Sequence, residues 1–303
     1  MRRALLILGV LTALFVAWLL AVWPPPLWYR THWPRATAFM TRSYPVALSA
    51  KAVARGRLYR PVPLDSITPS MQDAVMIGED DNFFSHGGVD FLALAHALGY
   101  RRDSFDWRDR RQRREMLAVL PSAWRKRDEL RGASTITQQL AKNLYLSPSR
   151  NPLRKLKEAI TAWRLESALG KRRIMELYLN TVELGEDVWG VDAASRLYFG
   201  HAAAQLTQDQ AAALAGTLPF PLRSNPGDHP GRMRWRQNLI LRRMHGEWVD
   251  VPKVEAGAAE SSDTSAAAAT PDSLSPNPAD STAVPPASES DSTPTPSAID
   301  TVH

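Results

Sequence analysis

The chain has 303 residues, a net charge of +6 and no cysteine. This length allows one or two domains, and the lack of cysteine excludes disulfide scaffolds, thiolate metal sites and cysteine nucleophiles. The charge is unevenly divided, because residues 253–303 hold eight acids and one base, a net −7, which leaves +13 on the first 252 residues. A basic body predicts an anionic partner: nucleic acid, a phosphorylated substrate or a membrane surface.

The N-terminal segment has the pattern of a membrane anchor. Residues 4–23 are twenty consecutive uncharged residues, and a helix of that length spans about 30 Å, the hydrocarbon thickness of a bilayer. Arg2 and Arg3 precede it, which predicts a cytoplasmic N-terminus and an exported remainder. A cleaved signal peptide is the alternative, but the apolar run is long and its end offers no small-x-small cleavage site. We therefore predict a cytoplasmic stub and a single transmembrane anchor in residues 1–30.

The remaining chain divides into a folded body and a tail. Residues 253–303 are rich in Ala, Ser, Thr, Pro and Asp and contain no aromatic residue, so we predict a disordered acidic tail. Residues 31–252 are predicted to form one domain. Its fold class is predicted to be mainly α, because helix caps recur and residues 56–62 give the best strand signal. The predicted helices cover about 69–79, 91–100, 136–145, 152–169, 171–180, 188–199, 208–218 and 231–245.

Two segments of the body have distinctive side-chain patterns. The helix predicted from residue 152 has apolar residues at three/four spacing, which predicts its buried face: Leu153, Leu156, Ile160 and Trp163. Residues 101–131 hold eleven basic and six acidic residues with apolar residues between them. This stretch is either a solvated charged insertion or an amphipathic segment on an anionic membrane face. A nucleic-acid interface is not expected outside the cytoplasm.

The first candidate site surrounds Glu79, which ends an apolar helix and is followed by Phe83 and Phe84. A carboxylate beside a desolvated cleft can serve in proton transfer, although an ordinary helix-end acid has the same local pattern. His86 is a candidate metal ligand, but a lone histidine is more often a hydrogen-bonded structural residue. Asp90 is most simply a helix N-cap.

Two further clusters are candidates for an anion site. Thr135, Gln138 and Lys142 share one face near a helix N-terminus, where free N–H groups and the helix dipole favour anions, or they form an ordinary solvent face. In the next helix, the spacing of Arg154 and Lys155 lets Glu158 meet both bases. That cluster is either a routine surface ion-pair network or a pyrophosphate cradle whose acid orients the bases or holds a divalent cation.

Five motifs follow one another along the body. They are Glu79-Asp80 with Phe84, His86 and Gly88; Gly132-x-Ser134-Thr135-Ile136-Thr137-Gln138-Gln139 with Lys142-Asn143; Arg154-Lys155-x-x-Glu158; Ile174-Met175-Glu176-Leu177-Tyr178-Leu179-Asn180; and Gly190-x-x-x-Ala194 before Tyr198-Phe199-Gly200. Together they resemble the motifs of the peptidoglycan glycosyltransferases, the family 51 enzymes that polymerise lipid II. The resemblance covers about residues 58–243. The Ser-x-x-Lys and Lys-Thr-Gly motifs of a transpeptidase do not occur in these 303 residues, so the chain resembles the monofunctional type.

The resemblance implies a lysozyme-like, two-lobed, mainly α domain on the outer, periplasmic side of the bacterial cytoplasmic (inner) membrane. Glu79 matches the catalytic base, which takes the proton of the acceptor 4-hydroxyl, and Glu158 matches the second acid. The reaction inverts the donor carbon, forms a β-1,4 link and releases undecaprenyl pyrophosphate. The residues that match the phosphate site are Ser134, Thr135, Gln138, Lys142, Arg150, Arg154 and Lys155.

The resemblance also implies partners and leaves some points open. The implied partners are lipid II, the growing lipid-linked glycan and the membrane, without nucleic acid. Cell-division or elongation proteins, and a magnesium or manganese ion at the pyrophosphate, stay open. The distance from Glu79 to Lys142 exceeds the family's by about twenty residues, and the excess lies within residues 101–131. The alternative functions are a lytic glycan-cleaving enzyme and a non-catalytic cell-wall scaffold.

Overall fold

The computed structural model describes residues 2–42, 48, 50–97, 99–102, 104–106, 108–125, 134–146 and 152–252. The chain divides by its contacts into residues 1–262 and 263–303, and every described residue lies in the first unit. The predicted acidic tail therefore lies outside the described residues. The helices are α1 Arg2–Leu20, α2 Ala38–Arg42, α3 Ala50–Arg55, α4 Pro69–Glu79, α5 Phe91–Ala97, α6 Arg110–Arg125, α7 Ile136–Tyr145, α8 Pro152–Leu169, α9 Lys171–Thr181, α10 Val191–Phe199, α11 Gln208–Thr217 and α12 Gly231–Met244. Short 3-10 helices cover Pro26–Arg30, Leu64–Ser66 and Ala203–Gln205.

A small sheet accompanies the helices. Its strands are β1 Leu58–Tyr59, β2 Glu183–Gly185 and β3 Val188–Trp189, in the order β1-β3-β2. β1 runs parallel to β3 with Leu58 opposite Val188, and β2 runs antiparallel to β3. The predicted strand at 56–62 is confirmed over its centre. The predicted helix at 188–199 is wrong in its first residues, because Val188–Trp189 form β3.

Gly190 explains why that helix begins late. Its φ of +84° lies in the region that favours glycine, and a Cβ there would lie 2.6 Å from the Asn180 carbonyl oxygen. The backbone turns at this position, so α10 starts only at Val191. Local apolar periodicity continues through the turn, which is why the sequence pattern extended the helix.

The core lies where α4, α7, α9 and α11 pack together. Each contributes fully buried apolar side chains, among them Met71, Ile136, Leu177 and Leu214. Asn180 is also fully buried, and its side chain accepts from the Val62 amide and donates to the Val62 carbonyl. The core thereby fixes the C-terminal end of α4 and the N-terminal end of α7, the two places where the first candidate residues lie.

Helix α8 corrects one expectation about packing. Its buried residues are Glu158, Thr161, Ala162 and Leu165. The predicted buried face is instead exposed: Leu153 is 46%, Leu156 45% and Trp163 66% accessible. At about 100° per residue the two sets lie on opposite sides of the helix. The pattern indicated an apolar face but could not say which surface covers it. We call Leu153, Leu156, Ile160 and Trp163 the α8 stripe.

The start of the basic 101–131 stretch is joined to α6. Arg102 makes a two-bonded pair with Glu115, with Nε–Oε2 at 2.6 Å and Nη2–Oε1 at 2.9 Å, and Arg111 Nε lies 3.2 Å from Glu115 Oε1. Leu117 is exposed on the same helix. Charged pairs and exposed apolar side chains occur together, so both interpretations of this stretch stay open.

Candidate active site

Glu79 is the last residue of α4 and is buried. Its Oε1 accepts a hydrogen bond from Arg236 Nη2 at 3.0 Å, and its Oε2 accepts one from Gln139 Nε2 at 2.8 Å. Arg236 is fully buried on α12 and also donates to the carbonyl oxygens of Gly78 and Pro252. A buried carboxylate needs this kind of compensation, because an unpaired charge there is strongly destabilising.

The amide of Gln139 is oriented by a third group. The buried Tyr178 hydroxyl donates to Gln139 Oε1 at 3.0 Å, so the amide nitrogen faces Glu79. Burial raises the pKa of Tyr178 well above 10, the Glu79 charge adds to this, and Arg236 partly offsets it. The phenol therefore stays protonated and keeps donating. Helices α7, α9 and α12 together hold the Glu79 carboxylate in one orientation.

Arg236 was missed by the sequence reasoning, although one signal was present. Along α12 the buried residues are Met233, Arg236, Gln237 and Ile240, which follow the three/four spacing of a core face. A basic residue at a core position of an amphipathic helix needs a buried partner. That pattern could have identified Arg236 as paired to an acid, but nothing local identifies Glu79, 157 positions away.

Asp80 and His86 close the loop after Glu79. Asp80 is buried, and its Oδ2 accepts from the Ile136 amide at 3.0 Å in the first turn of α7. Its Oδ1 lies 2.8 Å from His86 Nε2, while His86 Nδ1 contacts the Gly87 carbonyl. Both partners of the imidazole are acceptors, so both ring nitrogens donate. This arrangement gives His86 a structural role, and its alternative as a metal ligand gains no support.

The His86–Asp80 contact predicts a pH-dependent contribution to stability. Burial opposes protonation, but the hydrogen bonds to Asp80 and Gly87 and the Asp80 charge outweigh it, and they raise the pKa of His86 above 6.5 despite opposition from Lys171. The contribution is therefore complete below about pH 6.5 and is lost as the pH rises through the folded-state pKa. We expect the melting-temperature difference between the wild type and His86→Gln to be largest in acid and to shrink as the pH rises. A difference that stays constant between about pH 5 and about pH 9 would contradict this assignment.

Thr135 and Gln138 form the predicted capping box of α7. Thr135 Oγ1 accepts from the Gln138 amide at 3.1 Å, and Gln138 Oε1 accepts from the Thr135 amide at 3.1 Å. The Thr135 hydroxyl also donates to the Gly88 carbonyl at 2.7 Å. Both side chains are buried. The cap is confirmed, and both residues hold the loop after Glu79 against α7; their contact with substrate stays a prediction.

Gly88 lies too close to α8 for any side chain. A Cβ there would lie 2.6 Å from the carbonyl carbon of Ala162 and 2.7 Å from the backbone nitrogen of Trp163. We expect Gly88→Ala to lower stability by about 1–3 kcal/mol, because backbone atoms must shift. Gly87→Ala is the matched control, since nothing lies within 4 Å of its Cβ position. Thermal unfolding of both variants tests this, and equal melting temperatures would show that the loop adapts without cost.

A second group of residues, the phosphate cluster, joins the start of α7 to α8. Lys155 Nζ donates to Ser134 Oγ at 2.7 Å and to Glu158 Oε1 at 2.6 Å, and Arg154 Nη1 donates to Glu158 Oε2 at 3.0 Å. Glu158 is buried, whereas the Lys155 side chain is 44% exposed. The buried acid thus fixes two bases, one of which reaches solvent. The phosphate cluster comprises Ser134, Arg154, Lys155 and Glu158.

The other predicted phosphate-site residues are placed less fully. Lys142 lies on α7, with its Nζ 5.8 Å from the centre of the Phe39 ring. Arg150 lies outside the described residues. In the described ranges, no group of three or more histidine, aspartate or glutamate side chains could hold a metal ion. Both oxygens of Glu158 already face cations, so the phosphate cluster fits a polyanion rather than a protein-held divalent cation.

Helix α7 connects the two candidate centres, since Gln139 contacts Glu79 and Ser134 contacts Lys155. Residues 49–108 and 112–245 match the model of the Transglycosylase family. The chain belongs to this family. The break in the match, at residues 109–111, falls within the basic 101–131 stretch. Membership confirms the resemblance and the mainly α, lysozyme-like fold class.

Individual relatives agree with the family match. The chain is 36% identical over 253 residues to the biosynthetic peptidoglycan transglycosylase of Bordetella avium, covering 83% of this chain and 96% of the relative. It is 38% identical over 250 residues to the protein of the same name from an Azoarcus species, covering 82% and 96%. It is also 36% identical over 257 residues to penicillin-binding protein 1A of Aquifex aeolicus, covering 82% of this chain and 31% of that longer protein.

Proposed function

We propose that this transglycosylase polymerises lipid II into β-1,4-linked glycan strands and releases undecaprenyl pyrophosphate. The observation that carries the proposal is a buried carboxylate, Glu79, joined through helix α7 to a cluster of cations held by Glu158. The names of the relatives, biosynthetic peptidoglycan transglycosylases, support peptidoglycan as the product. Monofunctional, inverting glycosyl transfer is part of the same proposal.

Glu79 acts as the general base in this account. Each carboxylate oxygen accepts one described hydrogen bond, from Arg236 or from Gln139, and each has a second lone pair. The positive charge of Arg236 keeps the carboxylate ionised and ready to accept a proton. The acceptor 4-hydroxyl gives its proton to Glu79 as its oxygen attacks the anomeric carbon of the donor glycan.

The phosphate cluster stabilises the leaving group. As the new C–O bond forms, the bond between the anomeric carbon and the pyrophosphate oxygen breaks and its electron pair leaves with the pyrophosphate. Fixed cations facing that growing negative charge lower the barrier. Because a pyrophosphate needs little protonation to leave, one base and a cationic site suffice. Hydrolytic glycosidases, by contrast, normally use two carboxylates across the scissile bond.

The cations of the phosphate cluster can be tested separately from the base. Replacing Lys155 by Met keeps the length of the side chain and removes its charge, so we expect kcat to fall about 10²–10³-fold, the typical loss when one transition-state donor is removed. Lys51→Met, on the exposed surface of α3, is the matched control. Initial rates of lipid II consumption measure the effect. Equal rates for the two variants would remove Lys155 from the mechanism.

We also propose that α1 anchors the enzyme in the cytoplasmic membrane, with the catalytic domain of residues 31–252 on its outer side. In the described part of the chain, α1 is the helix long and apolar enough to cross a bilayer, and a signal sequence passes the same test. Its side chains are almost all exposed, which supports a lipid environment over a protein core. Anchoring holds the enzyme where a lipid-linked substrate diffuses and raises the effective concentration of that substrate.

The function is tested by giving the purified protein two substrates in parallel, lipid II and finished glycan strands. We expect polymer from lipid II and no cleavage of finished glycan. Cleavage without polymerisation would favour the lytic alternative. Lack of reaction with either substrate, in a preparation shown to be folded by its thermal transition, would favour the scaffold.

A further inference from the structure

Helix α8 presents an apolar surface that the domain leaves uncovered. Three members of the α8 stripe are strongly exposed: Leu153, Leu156 and Trp163. The 3-10 helix Pro26–Arg30, which follows the anchor, packs against α8 and exposes Leu27 and Trp28. Exposed apolar residues thus occur on two adjoining elements. Contiguous apolar surface of this kind is typical of an interaction site.

The C-terminal end of α1 is held at the edge of the α8 stripe. Lys157 Nζ donates to the Trp18 carbonyl at 2.9 Å and lies 4.7 Å from the centre of the Trp18 ring. Arg164, two turns further along α8, donates to the Leu20 carbonyl. At about 100° per residue, both cations lie on one side of the stripe. The last carbonyls of α1 are therefore capped by the helix that carries the stripe.

The segment after the anchor is also fixed to the domain. Arg173 on α9 donates to the carbonyl oxygens of Tyr29, at 2.7 Å, and His32, at 3.0 Å. Its guanidinium lies 4.4 Å from the centre of the Trp33 ring. These contacts prevent the domain from swinging freely below the anchor. The height of the α8 stripe relative to the end of α1 is therefore set by the fold.

We propose that the α8 stripe is a second membrane contact, in which these side chains enter the boundary between headgroups and acyl chains beside the anchor. The inference rests on the proposed anchoring by α1. A bilayer is the favoured occupant, because a spanning α1 leaves the membrane at the edge of the stripe. Tryptophan and basic residues such as Trp163, Lys157 and Arg164 also suit that interface.

The same helix carries catalytic residues on its other side. Glu158 is buried on the face opposite the α8 stripe and holds Arg154 and Lys155. A helix with its side chains is about 10 Å wide. The stripe would therefore hold the phosphate cluster about one helix diameter from the lipid surface, at the level that the headgroup of a lipid-linked pyrophosphate occupies.

The lack of cysteine allows a site-specific test in the full-length protein. Single variants Leu156→Cys and Trp163→Cys are labelled with an environment-sensitive fluorophore, and the protein is placed in nanodiscs containing anionic lipid and lipid spin labels. Val10→Cys, in the middle of α1, is the positive control. Trp248→Cys, where the native side chain is 88% exposed beyond α12, is the aqueous control. We expect strong quenching at 156 and 163 by shallow spin labels, several-fold above that at 248.

The controls separate the inference from the proposal on which it rests. Quenching at 10 together with aqueous behaviour at both 156 and 163 would overturn the second contact and leave the anchor intact. Loss of quenching at 10 would overturn the anchor itself and the inference with it. Burial of 156 and 163 without lipid quenching would mean that a protein, such as a second copy, covers the α8 stripe, and this outcome also overturns the bilayer as occupant.

Discussion

Replacing Glu79 by Gln is expected to abolish glycan synthesis while the domain stays folded. The amide has the size of the carboxylate but cannot take up the proton of the acceptor hydroxyl. General-base catalysis contributes about 10²–10⁴-fold, so a loss of at least that size is expected in kcat. The new NH₂ group must also face either Gln139 or Arg236, both of which are donors, so a small loss of stability is expected as well.

The measurement is the initial rate of lipid II consumption, with thermal unfolding recorded on the same preparations. Glu247→Gln is the matched control, because Glu247 makes an exposed pair with Arg242 at the end of α12. We expect the control to retain the wild-type rate. An E79Q enzyme that kept full activity would refute the assignment of the base.

Arg236→Met is expected to have the second-largest effect, because it leaves the Glu79 carboxylate buried without its cation. Breaking a buried ion pair by removing one partner costs about 3–5 kcal/mol of stability. Without the neighbouring charge, ionisation of the carboxylate requires a higher pH. The acidic limb of the kcat–pH profile should therefore move to higher pH, and Arg236→Lys should restore part of both stability and activity.

Two measurements distinguish positioning from mere support of the fold. The double variant Glu79→Gln with Arg236→Met removes both charges, and we expect it to be more stable than Arg236→Met alone, although inactive. A purely structural role for Arg236 would lower the melting temperature without moving the pH profile. An unshifted profile in Arg236→Met would contradict the positioning role.

Local features of the fold were predictable because short-range contacts specify them. The capping boxes of α7 and α11 are read from residues three positions apart, Thr135 with Gln138 and Thr207 with Gln210, and both are present. The Thr68-Pro69 start of α4 and its end at Glu79 were likewise predicted correctly. These signals depend only on neighbouring backbone groups.

Long-range partners could not be predicted in the same way. The Arg236–Glu79 pair joins residues 157 positions apart, and the Tyr178–Gln139 hydrogen bond joins residues 39 apart. The α8 stripe was assigned to the core because periodicity detects an apolar face without saying what covers it. Resemblance to a family supplied the grouping of Glu79, Ser134, Lys155 and Glu158, which local pattern left open between a site and a routine surface.

The central claim is that Glu79 and the phosphate cluster perform one inverting displacement on a lipid-linked pyrophosphate. The most direct measurement counts both products formed from lipid II by the wild-type enzyme: released undecaprenyl pyrophosphate and glycan that a β-1,4 muramidase can digest. The account predicts one undecaprenyl pyrophosphate for each new link and complete digestion of the polymer. Release of undecaprenyl pyrophosphate without digestible polymer, or polymer that resists the muramidase, would contradict it.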